Sequence, residues 1–183
     1  RMEVGQPPES TQAMLITKAA ATRSVNLLTE QNEQLEQQLR DQLDEKTEEL
    51  WDRVLKDIQN QNYREAIAKG QELAEWLDTR AGQLSNAVLG RGHLLLAQVA
   101  LIESSECGEL KDELTKSREL YEKARAAFGE DVSDENKLRL SNLQAKLLSI
   151  DNRDEEALTL LGNATDPQSV TTRLLILIDR GES

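Results

Sequence analysis

Between residues 10 and 60 the chain carries neither glycine nor proline. Its apolar residues there include Val25, Leu28, Leu35, Leu39, Leu43, Leu50, Val54 and Ile58, three, four or seven positions apart. That spacing marks one face of an α-helix. It predicts a single very long helix, or two with a soft break near Thr29, with Ser10 or Thr11 as the cap. Residues 1–9, holding Gly5, Pro7 and Pro8, are expected to be flexible. Val25, Leu28, Asn32, Leu35 and Leu39 fit alternating a and d positions of a coiled coil, with Asn32 at an a position. After Leu39 the next such position is Gln42, yet the apolar residue is Leu43, so the register shifts. Two readings stay open. The stripe packs on the chain's own later helices, which we prefer, or it builds a homodimer through residues 10–46.

Beyond Asn60 the polar punctuation becomes regular. A turn at 60–62 leads into a helix over 63–78, and 79–82 breaks it. A helix over 84–103 follows, in which Ala87, Gly90, Ala97 and Ala100 alternate with Leu and Val. A loop is expected at 104–108 and a helix over 110–128, stopped by Gly129. Ser133 is placed to cap a helix over 134–150. After a turn at 151–154 comes a helix over 155–163, and Asp166-Pro167 opens the last one, proline suiting a first helical position. The pattern predicts an all-α fold with at least six helices longer than two turns and no sheet.

Two phrases stand out, Asn62-Tyr63-Arg64-Glu65-Ala66-Ile67 and a looser echo, Arg153-Asp154-Glu155-Glu156-Ala157-Leu158. Each runs from a polar turn into a helix carrying a small Ala with an aliphatic residue after it, which lets a second helix approach closely. This succession resembles the tetratricopeptide repeat family. Tyr63 and Ala66 match the start of that family's second helix, while Leu50 and Val54 fall at its first-helix packing positions. Leu89-Gly90 with His93, followed by Tyr121-Glu122-Lys123-Ala124, suggests a second unit. Ala145 with Ala157, Leu161 and Ala164 suggests a third, and Asp166-Pro167 resembles the proline between repeats. Two features depart from the family. Ala66 and Ala157 lie 91 residues apart, no multiple of the roughly 34-residue period. The first-helix Trp is also missing, because Trp51 and Trp76 sit elsewhere. The resemblance covers residues 47–183 and implies a solenoid of antiparallel helix pairs, preceded by the helix over 10–46.

Composition narrows the function. Only 3% of residues are aromatic, and the net charge is −12 with Lys and Arg scattered. A phosphate-binding surface is therefore not expected, and neither nucleic acid nor anionic lipid is a favoured partner. A minor alternative is an acidic mimic of nucleic acid. No stretch reaches the roughly 20 apolar residues of a membrane span. Cys107 is the only cysteine, so no internal disulfide forms. Glu106 and Glu109 beside it would raise its thiol pKa, which makes it a filler residue near a helix end. The compartment stays open, with a slight preference for the cytoplasm. His93 is the only histidine, set in an apolar helix without an orienting partner. Gly90-Arg91-Gly92 lacks the lysine and third glycine of a phosphate loop, and its glycines fit tight helix contact better. No metal-ligand spacing occurs, and no cofactor is implied. The ending Gly181-Glu182-Ser183 and the start at Arg1 read as the edges of a fragment.

Binding is the remaining reading, with no enzyme activity expected. The repeat resemblance implies a face lined by first helices that holds a peptide or a protein partner, and the acidic charge favours a partner of basic character. Polar or large residues on those helices are the candidates: Asn86, Arg91 and His93 in the second unit, Arg139 and Asn142 in the third. Trp51 and Trp76 either anchor a partner or pin the long helix to the first unit. A second reading makes the long helix a dimerising rod with a helical head.

Overall fold

A computed structural model describes residues 9–107, 110–130 and 132–181. All but one residue of the expected flexible stretch lie outside these, as does the side chain of Cys107. Seven α-helices and no strand occur among the described residues. Helix α1 (Glu9–Gln59) is continuous and begins just ahead of the expected caps. Thr29 makes no break, because its hydroxyl donates back to the Val25 carbonyl at 3.0 Å and stays within the helix. Helices α2 (Tyr63–Arg80), α3 (Asn86–Cys107), α4 (Leu110–Phe128), α5 (Asp134–Ile150), α6 (Asp154–Leu161) and α7 (Pro167–Asp179) follow.

Helix α3 starts at Asn86 rather than 84 and α6 at Asp154 rather than 155, and three other boundaries differ from the sequence reading, each for a local reason. Helix α2 passes the expected break at 79, since the Thr79 hydroxyl bonds to the Glu75 and Trp76 carbonyls at 3.0 Å; a 3-10 turn, Ala81–Gln83, comes after it. The expected loop at 104–108 is helical to Cys107. Ser104 and Ser105 turn their hydroxyls onto the Leu101 and Ile102 carbonyls at 2.7 and 2.8 Å, so neither opposes the helix. Helix α6 stops at Leu161 because Gly162 takes a φ of 51°, open to glycine at little cost. The predicted cap at Ser133 and the start at Pro167 hold, whereas Ser10 and Thr11 fall inside α1 and are not its cap. Ser133 accepts from the Asn136 amide and Asp166 from the Ser169 amide, with Pro167 opening α7.

The chain divides into two compact units between Gln42 and Leu43. In the first, every residue from Thr22 to Gln42 is exposed. In the second, the core forms in three steps along the chain. Leu43, Leu50 and Val54 of α1 meet Leu73 and Leu77 of α2 and Leu95, Leu96 and Val99 of α3. The other side of α3, at Leu94 and Ala97, meets Tyr121, Ala124 and Phe128 of α4 and Leu140, Leu143 and Leu147 of α5. Ala145 of α5 joins Ala157, Leu161 and Ile176. A helix that is apolar nearly all round belongs in the middle, and α3 is buried at nine of the ten residues from 90 to 100 other than Arg91. Each helix from α2 to α6 packs on its successor, and α5 also touches α3 and α7.

Small residues set the close approaches. A Cβ built on Gly90 would come within 2.7 Å of the Phe128 ring, and one on Gly92 within 2.7 Å of Leu77 Cδ1. Ala66 and Ala157 are fully buried. They occupy equivalent places, each three residues into a helix whose turn holds a left-handed residue two positions before the start, Gln61 or Asn152, both at φ 59°.

Polar side chains reinforce the stack. The buried Thr47 hydroxyl donates to the Leu43 carbonyl at 2.7 Å and accepts from Trp76 Nε1 at 2.8 Å, which pins α2 to α1. Ser117, also buried, donates to the Ala97 carbonyl at 2.7 Å and ties α4 to α3.

Candidate functional site

The end of α1 shows a face made of every second helix. Trp51 lies one residue beyond the buried Leu50, turned about 100° from it, and is half-buried. It borders three adjoining hollows that also share Arg91 of α3. The largest, about 590 Å³, is completed by Asn86, Phe128, Glu130, Glu135 and Arg139. The second, about 290 Å³, runs past Leu55 and Gln59 of α1 and Gln98 of α3 to Arg139 of α5 and Gln168 of α7. The third, about 90 Å³, reaches Glu48 and Asp52. Together they make one groove across α1, α3, α5 and α7.

The groove's cations are held in place from within. The Arg139 guanidinium lies over the Trp51 ring, 5.3 Å from its centroid, and its Nη2 donates to Glu135 Oε1 at 2.7 Å. That combines a cation–π contact with an ion pair and limits the side chain to one pose. Arg91 donates to Glu48. Four carboxylates, Glu48, Asp52, Glu130 and Glu135, thus face two guanidiniums. Asp52 and Glu130 have no ion-pair partner among the described residues. The groove carries a net negative charge that an incoming cation could neutralise.

Of the five candidates read from the sequence, the structure brings three together: Asn86, Arg91 and Arg139. His93 is elsewhere. It is 8% exposed and borders a cleft of about 210 Å³ between α2 and α4, floored by α3. Burial pushes its pKa below the ordinary histidine value, Lys123 adds to that, and Asp78 opposes it. Its Nδ1 has no hydrogen-bond partner among the described residues. The reason for its absence from the groove is angular, since two positions along a helix turn about 200°. Asn142 is not a surface residue at all, being 1% exposed. Its Nδ2 donates to the Leu138 carbonyl at 3.0 Å and to Ser169 Oγ at 2.9 Å, joining α5 to α7. Trp76 pins α2 to α1 through its bond to Thr47, whereas Trp51 lines the groove.

Among the described residues no group of three or more His, Cys, Asp or Glu could hold a metal ion. No described helix is long and apolar enough to cross a membrane. No protein family matches the chain, and no curated protein or solved structure matches it either.

Proposed function

We propose that residues 43–183 are a helical-repeat interaction module of the tetratricopeptide kind, whose groove across α1, α3, α5 and α7 holds an extended segment of a protein partner. The observation that carries this reading is the junction at Trp51 and Arg91, where three hollows meet on alternate helices. Supporting it, the turns at Gln61 and Asn152 and the buried Ala66 and Ala157 repeat one geometry in two helix pairs. The occupant is a basic peptide. Its Lys or Arg pairs with Asp52 and Glu130, and an apolar or aromatic side chain rests against Trp51, a residue type that often dominates interface energy. The module is non-enzymatic in this reading. The one histidine borders a different cleft, whose described lining residues include no Ser, Thr, Cys or Tyr to serve as a nucleophile.

A library of short peptides rich in Lys and Arg, each with one aromatic residue, tests the reading by fluorescence anisotropy. The best binder should lose affinity at least about tenfold against Trp51→Ala. It should weaken similarly against Asp52→Lys and as salt rises. Binding that ignores Trp51→Ala and Asp52→Lys alike would overturn the groove assignment.

A further inference from the structure

Helix α1 keeps its regular backbone through Thr22–Gln42, where no side chain is buried. Val25, Leu28, Leu35 and Leu39 are between 50 and 62% exposed. In proteins most helical stability comes from packing an apolar face, and this stretch has none packed within the chain. Four large aliphatic side chains on one face are the signature of a missing strand. We infer that this stretch is one half of a parallel, two-stranded coiled coil formed with a second copy of this chain.

Three observations name a second copy as the occupant. The seam reads Val25, Asn32 and Leu39 at a, and Leu28 and Leu35 at d; its one β-branched a residue, Val25, with Leu at both d positions suits two strands. Asn32 sits in mid-seam. In a parallel pair in register it meets its own counterpart, and the two amides bond to each other. Against an apolar knob of another helix, or in an antiparallel pair, it would be buried without that partner.

The flanking positions agree. Ser24, Thr29, Gln31, Glu36 and Gln38 occupy e and g, so Ser24 faces Thr29 and Gln31 faces Glu36 across the seam, with no like charges opposed. The charged residues Arg23, Glu30, Glu33, Arg40 and Asp41 all take outer positions, where water reaches them. Within Thr22–Gln42, Leu27 is the one large apolar side chain outside the seam.

Sedimentation equilibrium of the full chain across the micromolar range should give twice the 20.6 kDa chain mass. Leu28→Glu with Leu35→Glu should weaken association by roughly a hundredfold or more, since both d layers become charged. These residues are exposed, so the thermal transition of the second unit should survive the change. Register is read separately. In a Cys107→Ser background, Asn32→Cys should oxidise rapidly to a linked dimer, while Gln34→Cys, at an outer position, should not. A monomeric wild-type chain overturns the inference. So does a dimer indifferent to the two glutamates, or cross-linking no faster at position 32 than at 34.

Discussion

Gly92→Ala sets two opposing effects against each other, and the structure decides which prevails. In a helix interior, alanine is favoured over glycine by about 0.8–1.0 kcal/mol, so propensity alone predicts a more stable protein. The new methyl would lie 2.7 Å from Leu77 Cδ1, 3.2 Å from Cδ2 and 3.5 Å from Cγ. Leu77 is fully buried in the first core cluster, so it cannot swing into solvent. Such overpacking costs about 1–3 kcal/mol. The contact should win, leaving a net loss of about 1 kcal/mol, or roughly 2–4 °C in melting temperature for a chain this long.

Gly82→Ala is the control. A Cβ there meets nothing within 4 Å and the backbone is not left-handed, so it should stabilise by about 0.4–1 kcal/mol. Urea unfolding measures both variants, and Leu77→Val completes the test. Shortening Leu77 frees the space, so Gly92→Ala should cost less beside Leu77→Val than alone, with a coupling of about 0.5–3 kcal/mol. Gly92→Ala as stable as Gly82→Ala, with no coupling to Leu77, would refute the close-approach account of α2 and α3.

Two further outcomes concern residues that sequence reasoning placed at the binding face. His93 has a folded pKa below its unfolded value of 6.5, so the unfolded chain binds more protons between the two values, and stability falls as pH drops from 6.5 through that window. His93→Gln should therefore lose less stability than wild type between pH 7 and 5, by thermal melts in matched buffers; parallel curves would show that His93 contributes nothing to acid sensitivity. Asn142→Ala and Ser169→Ala should each cost about 1–3 kcal/mol by leaving a buried partner unbonded, and the double variant should cost less than their sum. Strict additivity in urea unfolding would dissolve the link between α5 and α7.

The helices over 110–128 and 134–150 were legible to the residue, because Gly129 and Ser133 act through local chemistry that sequence displays directly. Ser104 and Ser105 misled for a reason equally physical. Serine favours loops when its hydroxyl competes for backbone groups, yet here both hydroxyls bond within the helix. The site was harder to read. Arg91 and His93 are near neighbours in sequence, but the helix turns them to opposite sides, into different hollows. Asn142 follows Arg139 by three residues and shares its side of α5, yet Ser169 of α7 covers it. Which of two adjacent polar residues a later helix covers is a tertiary fact, and periodicity does not contain it. The sequence marks Trp51 as large but not as central, since its place depends on α3 and α5 arriving beside it.

The shift of register after Leu39 has a physical meaning once burial is known. From Val25 to Leu39 the stripe alternates steps of three and four, the pattern of a seam. Leu39 to Leu43 and Leu43 to Thr47 are two steps of four in a row, each turning the stripe by about 40°. From Leu43 onward the stripe is core, with Leu43, Thr47, Leu50 and Val54 all buried. Each half carries one polar residue among aliphatics, and the two are treated differently. Thr47 is satisfied inside the chain by Leu43 and Trp76. Asn32, in the exposed half, is left to water and has no protein partner among the described residues. A buried polar group in an apolar stripe costs stability unless something bonds it. The second unit supplies that bond to Thr47. For Asn32 a second copy supplies it most simply, by presenting the same side chain at the same height.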